Sequence, residues 1–349
     1  MRKHLVILIL ALLAVSGCDI HEYPVGEHDV DVALNLVFDY DLPQYKIIDY
    51  KTRADEPTAA GRYPYQARYV VDFYRDDNET VTPNYRFTFT GSNVEDLSRT
   101  EHVLVAPARY RILAWTDFVE TEGSLPFYDI VDMKNITFHG DNPDVISYTG
   151  KGYKGNNDFK DAFRGEQTLD LSAFNQNGSK ADVTVDMQRP LAKFNIIATD
   201  KDQLITFWLK QLEARGIETK DGAEDVDLNL FNVRIFYNGY LPSVFNNFTD
   251  RPVSSDTGIL FEGKFNELQS GDVELAFDYV MVNGKESSVN ISIAIYDDLW
   301  EEISVIPGIN IPLLRSHLTT VRGKFLTTGT QSGIAINPAY DGEINIFIN

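Results

Sequence analysis

Residues 273–295 read VELAFDYVMVNGKESSVNISIAI. Val273, Leu275, Phe277, Tyr279 and Met281 fall at every second position, and so do Val289, Ile291, Ile293 and Ile295. A period of two belongs to a strand with one buried face. Asn283-Gly284 stands between the two runs, and both residue types tolerate the positive φ that a type I′ turn demands. The stretch therefore predicts a tight β-hairpin and sets an all-β expectation for the rest of the chain.

The same period recurs on the N-terminal side. Val30, Val32, Leu34, Leu36 and Phe38 alternate, as do Tyr69, Val71 and Phe73, and Tyr85, Phe87 and Phe89. His102 to Ala106, Tyr110 to Ala114, Leu169 with Leu171, and Val183, Val185 and Met187 continue it. Residues 41–64 carry Pro43, Pro57, Gly61 and Pro64 and read as a loop. Between Asp117 and Gly165 the pattern is poor, a long excursion for a compact domain.

Pro190 interrupts the ladder, and Phe194, Ile196 and Ala198 restart it. Leu204, Ile205, Trp208, Leu209 and Leu212 recur at helical spacing, with Gly216 as the stop. Val226, Leu228 and Leu230 alternate, then Phe231, Val233 and Ile235 do so in the opposite phase, which predicts a β-bulge at 230–231. Further strands are expected near 318–326 and 343–348. Many short strands with few short helices predict two tandem β-sandwich domains, 30–187 and 188–349.

The first residues, MRKHLVILILALLAVSGCDI, carry the chain's one cysteine. Arg2 and Lys3 precede an unbroken apolar run from Leu5 to Val15, which as a helix covers about 16 Å and is too short to span a bilayer. This is the pattern of a secretory signal peptide, residues 1–17. Leu13 to Cys18 resembles the lipobox of bacterial lipoproteins. That resemblance implies a diacylglycerol on the Cys18 thiol, cleavage before it and acylation of the new amine with a chain such as palmitate. At roughly 0.8 kcal/mol per buried CH₂, two or three chains hold a protein stably where one does not. Residues 18–29 then form a lipidated tether, and no thiol remains for a disulfide or a Cys-ligated metal.

The 349 residues carry 52 Asp and Glu against 31 Lys and Arg, a formal charge of −21. Such a surface repels phosphates, so nucleic acid is excluded as a partner. The six histidines show no zinc-type spacing, and neither a Gly-x-Ser-x-Gly elbow nor a P-loop occurs. YRDDNET and TKDGAEDVD are acidic but lack the glycine and closing glutamate of a calcium loop, and read as turns. Carboxylates are too many for a glycosidase pair to be picked out by counting. Trp is rare, at 3, beside 18 Tyr and 21 Phe, and alternating aromatics read as core. The reading is non-enzymatic, with no cofactor and no metal.

Three stretches carry a further resemblance: YTGKGYKGNNDFKDAFRGEQTLDL at 148–171, QRPLAKFNIIATD at 188–200, and LLRSHLTTVRGKFLTTGTQSGIAINPAYDGEINIFI at 313–348. Together they resemble the fimbrillin-like lipoproteins of Bacteroidota, near a domain-of-unknown-function group beside the fimbrial anchor and minor-subunit proteins. Arg315, Leu318, Thr319, Thr320, Arg322, Gly323, Asn337, Pro338, Asp341 and Gly342 match the most specific motif. The resemblance implies transthyretin-like sandwiches, an outer-membrane lipoprotein at the cell surface, and assembly of fimbriae (pili) by strand addition between subunits. It also implies cleavage after an arginine beyond the first strand, for which Arg53 is the candidate processing site. The function expected is that of a fimbrial subunit or anchor in cell adhesion. The alternatives are a surface lipoprotein capturing glycans for nutrient uptake and, third, a glycan hydrolase.

Overall fold

The computed structural model of the chain describes residues 29–49, 65–76, 82–121, 127–138, 153–176, 178–217, 226–284 and 286–327. The first half makes β1 (Val30–Phe38), β2 (Gln44–Asp49), β3 (Tyr65–Arg75), β4 (Tyr85–Gly91), β5 (Arg99–Val105), β6 (Arg109–Glu120), β7 (Tyr128–Asp132), β8 (Asn135–Phe138), β9 (Phe163–Asp170) and β10 (Lys180–Gln188). The second makes β11 (Leu191–Ala198), the helix α1 (Lys201–Ala214), β12 (Asn232–Tyr237), β13 (Leu241–Asn246), β14 (Arg251–Asp256), β15 (Leu260–Lys264), β16 (Asn266–Glu267), β17 (Val273–Met281), β18 (Ser287–Tyr296), β19 (Glu302–Leu313) and β20 (Leu318–Gly323). The fold is all-β and of sandwich type.

Seven strands in the order β4-β3-β6-β9-β10-β1-β5 form one sheet. Its inner face encloses the first core, where Val32, Leu34, Tyr69, Val71, Ile112 and Val185 meet. The second core lies between the sheet β16-β17-β11-β20-β2 and the sheet β15-β12-β18-β19. Helix α1 packs against this core through Leu204 and Trp208, and Gly216 ends it at φ 76 as its position predicts.

A fourth sheet, β14-β13-β8-β7, combines strands from both halves. It covers the outer face of β3 and β6, and Val70, Leu113 and Trp115 meet Tyr128, Ile136, Phe245 and Met281 in a third core. Two buried ion pairs fasten β7 there. Arg68 forks onto Asp117 at 2.8 and 2.5 Å and donates to the Tyr128 carbonyl. Arg86 forks onto Asp72 at 2.7 Å twice and reaches the Val131 carbonyl.

Three expectations are corrected. β17 and β18 do not form a hairpin. β17 pairs with β11 and β16, β18 pairs with β12 and β19, and Asn283-Gly284 carries the chain from one sheet to the other. Neither residue takes a positive φ, so the turn that the dipeptide favours does not form. Residues 41–64 are not all loop: β2 lies parallel to β20 at the edge of its sheet. Finally, Leu228–Leu230 is a 3₁₀ turn rather than a strand with a bulge, because the Asp227 carboxylate accepts the Asn229 N–H at 2.9 Å.

Candidate functional site

Cys18 and Arg53 lie outside the described residues, as do Asn337, Pro338, Asp341, Gly342 and the strand expected near 343–348. The rest of the C-terminal motif sets β20 in place. Arg315 reaches Asp250 at 2.7 Å and the Val282 carbonyl at 3.0 Å, and the buried Arg322 guanidinium meets Asp272 at 2.5 Å. Thr319 donates to the Pro312 carbonyl at 2.7 Å. These residues position backbone and build no open site.

The first strand has an unusual place. β1 is internal in the seven-stranded sheet, parallel to β10 from Asp31–Lys180 to Phe38–Met187 and antiparallel to β5 from Val30–Val105 to Leu36–Arg99. All five alternating side chains from Val30 to Phe38 are buried. The strand's exit is pinned too: Arg189 Nη1 donates to the Tyr40 and Asp41 carbonyls at 2.8 and 3.0 Å, and its Nε meets Asp161 at 2.7 Å. The segment containing β1 and β2 thus contributes one strand to each half, inside the first sheet and at the edge of the second.

Beside that exit opens a cleft of about 690 Å³, between the seven-stranded sheet and β17. Residues 156–163 form one wall. Asn157 caps a short 3₁₀ turn by accepting the Phe159 N–H at 2.9 Å. Asn156 takes φ 53, donates its N–H to the Phe277 carbonyl at 3.0 Å and accepts the Phe277 N–H on Oδ1 at 2.7 Å. Gly155 lets the segment approach closely, since a Cβ there would stand 2.2 Å from the Phe261 ring.

The floor is aromatic. Tyr65 stacks on Phe159 at 4.2 Å, and Phe118 meets Phe159 edge-on at 5.3 Å. On the opposite side the Lys193 ammonium lies over Phe277 and Tyr279 at 4.4 and 4.9 Å, and pairs with Asp158 at 2.6 Å. Burial raises the Asp161 carboxyl above the usual range although Arg189 opposes it, and burial likewise raises Glu274.

Behind the wall sits a closed polar knot. Lys160 Nζ meets Asp278 Oδ1 and the Tyr153 hydroxyl, each at 2.5 Å. Tyr153 and Tyr237 donate to Asp278 Oδ2 at 2.7 and 2.6 Å. Every group there is satisfied by its neighbours, so the knot is structural and the cleft is the site.

The sequence reading missed the cleft. Its wall falls in the stretch of poor periodicity, where NNDF was a signal of turn and cap rather than of a strand. Tyr65 and Tyr279 read as strand aromatics, with no mark of which face the cleft would expose.

These features define an all-β, sandwich-type protein with an aromatic cleft at the junction of its two halves. The chain belongs to the family described as "Family of unknown function (DUF6562)", whose model matches residues 27–349. No curated protein matches the sequence. Among solved structures it is similar to the fimbrial anchor protein Mfa2 from Porphyromonas gingivalis, at 9% identity and a TM-score of 0.40 over 79% of this chain and 82% of that one. It is also similar to a "putative cell adhesion protein" from Bacteroides eggerthii DSM 20697, at 12% identity and a TM-score of 0.42 over 93% and 96%. A "putative adhesin" from Bacteroides ovatus matches at 13% identity and a TM-score of 0.40 over 92% and 93%. At these values the likeness does not extend to a role.

Proposed function

We propose that the protein is a lipid-anchored structural protein of the cell surface, held in the outer membrane through Cys18 and acting as a fimbrial subunit or anchor in adhesion. The observation that supports this is the place of β1. A strand near the chain's start, paired on both sides and with one face buried, is the kind that leaves a strand-shaped groove when it is withdrawn. Its five buried side chains contribute at roughly 1.5–3 kcal/mol each, about 10 kcal/mol together, which is comparable to the whole stability of a domain. A chain cut at Arg53 would lose β1 and β2 together and would persist only with a donor strand in the groove. It would also lose its lipid. A polymerising subunit therefore needs the cut, and an anchor avoids it.

The test is the N-terminus of protein isolated from the cell surface, read by mass spectrometry. A start at Ala54 supports the polymerising subunit. A lipidated start at Cys18 throughout supports the anchor. Cys18→Ala should move the protein from the membrane to the soluble fraction, and retention on the membrane would sink the lipid anchor.

A second reading, a surface protein that captures glycans, is favoured by the aromatic floor of the cleft.

A further inference from the structure

The cleft combines exposed ring faces with carboxylates that no neighbour neutralises. We infer that it binds a short neutral oligosaccharide, with Tyr65 and Phe159 as the stacking floor and Asp158, Glu95 and Asn157 as the hydroxyl-recognising rim. This rests on the glycan-capturing reading and gives it a site and a substrate class.

Size fits first. About 690 Å³ lies within the roughly 300–1,000 Å³ of small-ligand clefts. The floor fits next. Tyr65 and Phe159 are both half-buried, and Tyr40 on the other flank is 39% exposed. Flat rings of this kind present an apolar face with a polar rim, which matches the C–H face and hydroxyl edge of a pyranose.

The polar atoms select the class. Asp158 spends Oδ1 on Lys193 and the Tyr279 hydroxyl, while Oδ2 has no partner among the described residues. The Glu95 carboxylate is exposed and has none among them either. Asn157 reaches the Tyr65 hydroxyl only at 3.4 Å, a length at which a better acceptor would displace it. Carboxylates accept hydroxyl hydrogens in charge-assisted bonds, which are shorter and stronger than neutral ones.

The cations are already committed. Arg189 is held by Asp161 and two carbonyls, and Lys193 by Asp158 and two rings. An acidic sugar would meet two carboxylates and no free positive partner, in a chain of net charge −21. An apolar ligand would leave these carboxylates to be desolvated without compensation. The wall is also fixed before any ligand arrives, because Asn156 is bonded twice to Phe277, so little ordering cost remains at binding.

The test is isothermal titration calorimetry on the mature chain, residues 18–349 with the lipid site changed to Ser. The probes are cellotriose, maltotriose, mannotriose, xylotriose and chitotriose, with trigalacturonic acid as the anionic comparison. At least one neutral trisaccharide should bind with a Kd of about 1 mM or tighter. Tyr65→Leu, which keeps apolar volume but loses the flat face, should weaken it about tenfold. The surface change Glu95→Gln leaves folding undisturbed and should weaken it severalfold. Glu95→Gln with Asp158→Asn should admit trigalacturonic acid. If no neutral trisaccharide binds at about 10 mM, both this inference and the glycan-capturing reading fall. If one binds but none of the three residues matters, the site falls and that reading stands. Equal binding of trigalacturonic acid to the unaltered chain overturns the neutral class.

Discussion

Lys160 Nζ and Asp278 Oδ1 lie 2.5 Å apart with side-chain exposures of 1% and 0%, and the pair joins the two halves of the chain. Lys160 belongs to the wall of the cleft and Asp278 to β17, and the ammonium is boxed by the Phe138 and Tyr153 rings at 4.2 and 4.0 Å. Removing one partner of such a pair leaves a buried charge without compensation, which typically costs about 3–5 kcal/mol. Lys160→Met should therefore lower the urea midpoint sharply. Asp278→Asn should lower it as well, because Tyr153 and Tyr237 then donate to a neutral amide. Combining Lys160→Met with Asp278→Leu should recover part of the loss, since the second change removes the stranded charge. Strict additivity of the two losses would show that the pair is not coupled.

The same lysine gives stability a pH signature. Burial pushes the Lys160 pKa down to about 8, although Asp278 acts to raise it. In the unfolded chain a lysine titrates near about 10.4. Between these values the unfolded chain binds a proton that the folded chain has released, so this contribution to stability rises with pH. It is fully present above about pH 10.4 and lost as pH falls through about 8. Tyr128, Tyr153, Tyr237 and Tyr279 act oppositely. Burial raises each well above 10, so their contribution falls once unfolded tyrosines ionise. Thermal melting from neutral to strongly alkaline pH should pass through a maximum on the alkaline side of 8. Lys160→Met should remove the rise and leave the fall, and an unchanged rise would contradict the assignment.

What the sequence disclosed depended on how many faces of each strand are buried. β1 was legible because Asp31, Ala33 and Asn35 face outward between buried neighbours, so its alternation is clean. β3 was half-legible. Tyr69, Val71 and Phe73 face the first core, but Val70 and Tyr74 are buried against the third, and a strand covered on both sides shows no contrast. The Asn283-Gly284 signal misled because β17 is also buried on both faces and its partners come from β11 and β16. No local pattern states whether two strands joined by a turn will share a sheet. β2 was missed because its partner β20 lies at the far end of the chain. The cleft depends on caps and a positive φ at Asn156, features of single residues that periodicity does not report.

Gly155 offers a test of how tightly the cleft wall is fitted. An alanine Cβ would lie 2.2 and 2.3 Å from two atoms of the Phe261 ring, and that ring is buried in the second core. Gly155→Ala should then cost about 1–3 kcal/mol, the range for overpacking. The strain should loosen the paired bonds between Asn156 and Phe277, seen as faster amide exchange at both residues. Phe261→Leu should rescue part of the loss by yielding the space. A neutral Gly155→Ala would mean that the wall gives way freely.

The division near residue 187 is best put as a proposal about cores rather than about independent pieces. The first core draws only on strands before residue 189, and the second is built almost entirely from strands after it. Two strand pairings and one core nevertheless cross the division. β2 pairs with β20 from Gln44–Leu318 to Asp49–Arg322, and β8 pairs with β13 through Val244–Thr137 and Phe245–Ile136. The third core takes Trp115, Tyr128 and Ile136 from one side and Leu191, Phe245, Tyr279 and Met281 from the other. A fragment 188–349 would expose the apolar face of Phe245, Tyr279 and Met281, and would keep Asp278 without Lys160 and Tyr153. A fragment 18–187 would expose Trp115 and leave β8 without its partner. At about 25 cal/mol per Å² of apolar surface, uncovering several such side chains costs a large share of a domain's 5–15 kcal/mol. Hydrogen exchange on each fragment should show protection lost first in β7, β8, β13 and β17, with the seven-stranded sheet and the β12–β18–β19 ladder holding longest. Mixing the two fragments should restore protection at β8 and β13 together. Full protection of those strands in the separate fragments would refute the dependence and make each half an independent folding unit.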